Sequence, residues 1–176
     1  GCVQKEISPQ INEATIRLLN RHGVEVVVPK KIRCCGSLNH HLGKEEDAHQ
    51  DFKNNINTWY EEHKKGNLDA ILSNTSGCGT TMKDYGFIFR DDKELSKKAK
   101  VISDLTRDIS EYIFESIKLN IESKGKKYKV AYHSACSMQH GQKVHSQPIS
   151  LLEKTDNEIM EIPQGHICCG SAGTYN

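Results

Sequence analysis

Seven cysteines are the residues of this chain whose type and spacing could do chemistry. Cys2 precedes the adjacent pair Cys34–Cys35, and Cys136 precedes the pair Cys168–Cys169 with the same number of residues in between. The two groups are offset by 134 residues, and Cys78 follows the first pair. Because a register repeated this closely indicates an internal repeat, the sequence predicts a duplicated unit built around thiols.

Cysteine thiolates are the usual protein ligands of iron–sulfur clusters, and four of them come from three segments in the first unit: Cys2, Cys34, Cys35 and Cys78. Glycines beside these cysteines, Gly36 and Gly79 among them, would let the backbone approach an inorganic core, and we expect helices to begin after both. Two alternatives stay open. The first is a zinc-stabilised module, although the C-x₂-C pairs typical of zinc sites are missing. The second is a strained, redox-active disulfide between Cys34 and Cys35.

Apolar periodicity predicts the elements that would position these thiols. Strands are expected at 24–28, 69–73 and 128–132, with a weaker one at 158–162, and helices at 9–22, 45–65, 93–102, 109–121 and 149–153. This alternating order favours an α/β fold with a mostly parallel, Rossmann-like sheet. Cysteine groups that follow strands would then meet at the carboxyl edge of the sheet, where open α/β folds bind ligands.

The charged stretch 124–127 is the expected linker between two units, 1–123 and 128–176. The counterpart of Cys78 in the second unit would fall beyond Asn176, so we expect that unit to be truncated.

Composition excludes several functions. A formal net charge of +1 provides no field for nucleic acid, and no apolar run approaches the ~20 residues of a membrane span. No secretion signal begins the chain. We therefore expect a cytoplasmic protein whose cysteines bind metal or take part in redox chemistry, rather than a disulfide framework. Dinucleotide, P-loop and Ser-His-Asp motifs are missing. The remaining polar candidates are histidines, interpreted as surface or hydrogen-bonded residues with proton transfer as the alternative: His40, His41, His133 and His140.

Four motifs carry a family resemblance. They are Gly1-Cys2-Val3-Gln4, Cys34-Cys35-Gly36-Ser37-Leu38, Ser76-Gly77-Cys78-Gly79 and Cys168-Cys169-Gly170-Ser171-Ala172-Gly173-Thr174-Tyr175-Asn176. Together they resemble the cysteine-rich CCG domain, in the form found in the iron–sulfur subunits of glycolate oxidase and, more distantly, in heterodisulfide reductase. Lactate-utilisation proteins share the cysteine pattern.

The resemblance implies an accessory electron-transfer subunit of an oxidoreductase, not catalytic alone. A flavoprotein partner carrying FAD would oxidise glycolate to glyoxylate, and electrons would pass toward quinone, at the inner face of the cell membrane or in the cytoplasm. It also implies 4Fe–4S clusters, non-cubane in heterodisulfide reductase, with one site at Cys2, Cys34, Cys35 and Cys78. Part of another would lie at Cys136, Cys168 and Cys169. A docking module without electron transfer and a lactate-utilisation-like thiol redox protein are the alternatives.

Overall fold

The computed structural model describes residues 2–66, 68–119, 121, 126–165 and 167. Helices and short strands alternate along them, which confirms the α/β class. In chain order the elements are α1 (Cys2–Ile7), α2 (Pro9–Arg21), α3 (Ser37–His41), α4 (Glu45–Lys64), β1 (Ile71–Ser73), α5 (Ser76–Ile88), α6 (Ser96–Leu105), β2 (Thr106–Asp108), α7 (Ile109–Ser116), β3 (Lys129–Ala131), a π-helical turn (Ser137–Gly141), α8 (Gln147–Glu153) and β4 (Glu158–Met160).

The strands form two parallel pairs. β1 pairs with β2, with Ile71 opposite Thr106, and β3 pairs with β4, with Lys129 opposite Glu158. Parallel pairing agrees with the expected order of strands and helices. Within the described residues the strands form two separate pairs and not one sheet, so the duplicated Rossmann-like architecture stays a prediction.

The hydrophobic core lies between α4, α5 and α6. Phe52 and Ile56 of α4 are fully buried, as the apolar stripe of that helix predicted. Tyr85 of α5 lies against Phe52, with 4.9 Å between ring centroids, and Ile102 of α6 completes the packing. Since α5 and α4 share this core, the residues at their ends are held at fixed positions relative to each other.

Three expectations about elements were wrong. Residues 24–28 were predicted to be a buried strand, yet they form neither strand nor helix, and Val28 is 71% exposed. β2 was missed because its three residues include Arg107 and Asp108, and the Asp108 side chain instead begins α7 through a capping box with Glu111. The third error concerns Cys78, which was placed in a loop before a helix starting after Gly79. It lies inside α5, which begins at Ser76.

None of the helices within the described ranges combines sufficient length with sufficient apolar character to cross a membrane.

Candidate functional site

Two cysteines that are far apart in sequence meet at the amino end of α5. The Sγ atoms of Cys35 and Cys78 lie 3.0 Å apart, longer than a disulfide bond of about 2.05 Å. Cys34 adjoins Cys35, and its side chain packs against the same core. Three thiols therefore line one cavity, but no strand delivers the Cys34–Cys35 pair, because residues 24–28 form none.

Asn55 of α4 fixes the loop that carries the cysteine pair. Its side-chain oxygen accepts a hydrogen bond from the backbone N–H of Arg33 (2.9 Å), and its amide nitrogen donates to the carbonyl of Cys34 (2.7 Å). Asn55 is fully buried, so its side chain can move little and holds the backbone of Arg33 and Cys34 in place. The side chain replaces the ladder that a strand would otherwise provide.

Tyr85 of α5 holds the next residue. Its hydroxyl donates to the carbonyl of Cys35 at 2.8 Å, and its ring is fully buried. Burial, reinforced by the charge of nearby Cys35, raises the pKa of Tyr85 well above its usual value. The hydroxyl therefore stays a hydrogen-bond donor across the physiological range.

Gly36 allows the pair to approach the core. Its φ of +77° lies in the left-handed region, and a Cβ at this position would overlap the ring of Phe52. The expected helix start after Gly36 is confirmed, because α3 begins at Ser37. Ser37 then links the pair to α5: its hydroxyl accepts a hydrogen bond from Thr81 Oγ1 at 2.9 Å.

Cys78 occupies the first turn of the 13-residue helix α5. Unpaired backbone N–H groups and the helix dipole make such a position favourable for a thiolate. Cys35 has the opposite environment. Its pKa is strongly raised, first by the hydrogen bond with the Cys78 thiol and then by burial.

The two thiols therefore do not ionise together unless a positive charge is supplied. Iron supplies such charge, and the three sulfur donors adjoin a cavity of about 840 Å³. The residues thus fit an iron–sulfur cluster. Within the described residues, no group of three or more His, Cys, Asp or Glu side chains is arranged to hold a single metal ion.

The segment after Cys136 docks on the same helix end. Ser137 Oγ donates to Ser76 Oγ (2.9 Å), Thr80 Oγ1 donates to the Ser137 carbonyl (2.9 Å), and Gln142 Nε2 donates to the Ser76 carbonyl (3.0 Å). Cys136 directly precedes this segment and is half-buried. The segment that follows Cys136 is therefore also brought to the amino end of α5.

The other predicted site residues have different outcomes. Cys2 is the first residue of α1, but its side chain is not among the described parts of the structure. Cys168 and Cys169 lie outside the described residues. His40 lies beside Phe52 (5.7 Å between ring centroids) with a buried Nδ1 that has no hydrogen-bond partner among the described residues. The remaining histidines are exposed, in agreement with the surface interpretation: His41, His133 and His140.

Asn55 and Tyr85 were missed as site residues. A signal for Asn55 was present, since it is a polar residue directly before Ile56 on the buried stripe of α4. Tyr85 follows Cys78 by two helical turns and therefore lies on the same face of α5.

Taken together, the parallel strands, the cysteine pair followed by a left-handed glycine and the third thiol at a helix start define a cysteine-rich α/β domain. The family model described as "CCG: Cysteine-rich domain" matches residues 1–83 and 130–176. The chain belongs to this family, as the resemblance predicted.

Several curated relatives of this chain are named as iron–sulfur proteins. The chain is 36% identical over 175 residues to the glycolate oxidase iron-sulfur subunit of Escherichia coli, which covers 99% of this chain and 42% of that protein. It is 29% identical to lactate utilization protein A of Geobacillus sp. (93% and 67% covered) and 35% identical to an uncharacterized iron-sulfur protein of Methanococcus maripaludis (98% and 31% covered). The chain thus spans less than half of the E. coli subunit. No solved structure matches.

Proposed function

We propose that this chain is the cysteine-rich part of an iron–sulfur electron-transfer subunit in a glycolate or related 2-hydroxy-acid dehydrogenase complex. The observation that carries the proposal is the 3.0 Å contact between the sulfurs of Cys35 and Cys78, with Cys34 alongside. Relatives named as iron-sulfur subunits of glycolate oxidase support it. A bound cluster would accept and release single electrons.

In this proposal Cys2, Cys34, Cys35 and Cys78 hold one cluster. The protein's own contribution is to orient the donors and keep water away from them. Asn55 and Tyr85 fix the carbonyls of Cys34 and Cys35, and the aromatic core beneath them lowers the local dielectric. The raised pKa of Cys35 means that its proton must leave when iron binds.

The second thiol group, Cys136, Cys168 and Cys169, is proposed to form part of another site in a second unit. The family model matches two separate stretches, which supports the proposed units 1–123 and 128–176 joined by 124–127, each Rossmann-like. Cys136 lies beside the first site through the Ser137–Ser76 contact. Electrons would enter from a flavoprotein subunit that carries FAD and leave toward quinone, at the inner face of the cell membrane.

Anaerobic reconstitution with iron and sulfide tests the proposal. The wild-type chain should gain broad absorbance near roughly 400 nm and a paramagnetic signal on reduction, with iron and sulfide in equal amounts. Cys78→Ser should lose the iron of the first site, whereas Cys136→Ser, a cysteine variant of the other thiol group, should keep it.

Two results would contradict the proposal. One is stoichiometric zinc in the purified protein with no uptake of iron and sulfide, which would favour a zinc-stabilised docking module. The other is full iron content in a variant that lacks both Cys35 and Cys78.

A further inference from the structure

The cavity beside the thiols runs between two stretches of backbone. Residues 24–29 line one wall, and 68–74 line the other, as unbroken runs. Successive residues of a strand point to opposite faces, so a cavity touched by every residue of a strand must run along its edge. β1 has β2 as its neighbour on one side, and within the described residues no strand pairs with the edge that faces this groove.

In the opposite wall, residues 24–27 alternate in exposure as a β-strand does, but they pair with no strand among the described residues. Val24 and Val26 are half-buried while Glu25 and Val27 are exposed, an alternation with the period of a β-strand. Yet residues 24–28 form no ladder with any described residue. A strand lying between residues 24–28 and β1 would pair with both, at the usual spacing of about 4.8 Å to each neighbour.

Apolar side chains make up much of the remaining lining of the groove, alongside charged and polar ones. Above and below the two walls it is lined by side chains that include Ile16, Leu19, Trp59, Ile109 and Tyr112. A central strand of a parallel sheet is covered on both faces and is therefore apolar on both, which this lining matches. Charged side chains among the lining residues, such as Lys5 and Glu62, would remain at the rim.

The position of α1 identifies how such a strand would continue. Gln4 of α1 accepts a hydrogen bond from Thr75 Oγ1 at 2.6 Å, two residues past the carboxyl end of β1. Asn12 of α2 accepts one from Asn74 at 3.0 Å. A strand parallel to β1 would leave the groove at this same edge, directly where α1 begins.

We propose that the groove between residues 24–29 and β1 holds a central parallel β-strand, apolar on both faces, whose carboxyl end continues into α1. Such a strand would be supplied by polypeptide joined to the amino end of Cys2. The chain covers 42% of the E. coli relative, so that protein has further residues that could form a strand of this kind. It would complete a four-stranded sheet, in the order 24–28, added strand, β1 and β2, in which residues 24–28 become the strand that the sequence predicts. The proposal concerns the sheet and does not depend on any cluster.

The test compares two extensions of the 176-residue chain. One adds Val-Ala-Val-Leu-Val before Gly1, and the matched control adds Val-Pro-Val-Pro-Val, which cannot form a ladder. The first should slow amide hydrogen exchange at residues 25–28 and 71–73 by about tenfold or more relative to the control. Trp59, the single tryptophan, lines the groove, so its quenching by acrylamide should also fall.

Equal exchange and equal quenching in the two extended proteins would overturn the proposal. Protection that appears in the unextended chain with rising protein concentration would assign the groove to a second copy and would overturn it as well. Should the first extension aggregate, the same five residues, added as a capped peptide to the unextended chain, must give the protection that the proline peptide does not. Iron content enters neither readout, so failure here leaves the proposed function standing.

Discussion

The two parts of the chain that carry cysteines are built differently. Around Cys35 a fully buried tyrosine, a fully buried asparagine and a phenylalanine hold the backbone from below. Around Cys136, the described residues 126–165 contain three buried residues, Gln142, Val144 and Pro148, and Gln142 binds α5 of the first part. The backbone around Cys35 is therefore held by its own core, whereas the segment after Cys136 is held by its hydrogen bonds to α5.

The largest expected effect comes from breaking the support of the first site. Gly36→Ala places a Cβ against Phe52 at a backbone position with φ of +77°, so it should destabilise the protein by about 3–4 kcal/mol. Gly23→Ala is the matched control, because Gly23 has the same φ and nothing within 4 Å of its Cβ position. Its cost should be about 1–2 kcal/mol. Urea unfolding measures both, and equal losses would show that the ring contact is unimportant.

Asn55→Ala should follow in size. It removes the partner of the Arg33 N–H and of the Cys34 carbonyl and truncates a fully buried side chain, which should cost about 2–4 kcal/mol. Asn57→Ala, on the exposed side of the same helix, is the control and should cost less than about 1 kcal/mol. Reconstituted Asn55→Ala protein should also show an altered paramagnetic signal. An unchanged signal together with a small stability loss would mean that α4 does not position the cysteine pair.

The dependence of the second part on the first is tested at their contact. A Cβ on Gly141 would lie 2.6 Å from Thr80 Cγ2, so Gly141→Ala should push the two apart at a cost of about 1–2 kcal/mol. Amide exchange should quicken in residues 137–153 while residues 45–64 stay protected. Uniform loss of protection in both ranges would contradict the asymmetry described above.

The smallest effect is a pH dependence. Because hydrogen bonding to Cys78 and burial raise the pKa of Cys35, the folded protein keeps a proton that the unfolded chain releases near pH ~8.5. This stabilisation is fully present below that pH and is lost as the pH rises, by at most ~1.4 kcal/mol per unit. Unfolding of reduced, metal-free protein from about pH 7 to about pH 10 should show a smaller decline for Cys35→Ala. Identical slopes would mean that Cys35 titrates normally.

Sequence alone predicted the elements whose pattern is local. α4, β1, β3 and β4 follow from apolar periodicity, and the position of Cys78 just beyond β1 follows from the expected order of strand and helix. Residues 24–28 have the composition of a strand but pair with none among the described residues, and propensity does not report pairing.

Tertiary contacts decided the remaining details. Gly77 and Gly79 flank Cys78, so the sequence predicted a loop at this position. In the fold, Gly79 lies inside α5, and it is a glycine that fits there because a Cβ would meet the Gln142 side chain at 2.7 Å. Tyr85 and Asn55 act through backbone carbonyls of other segments, and no spacing rule identifies such partners.

The closeness of Cys35 and Cys78 has a practical consequence for anyone who purifies this protein. In air, the first oxidation product should be the bond between these two sulfurs, which forms as each loses its hydrogen to the oxidant. Protein in that state has two donors fewer for incoming iron. Samples handled without a reductant would then fail to take up iron even though they are correctly folded.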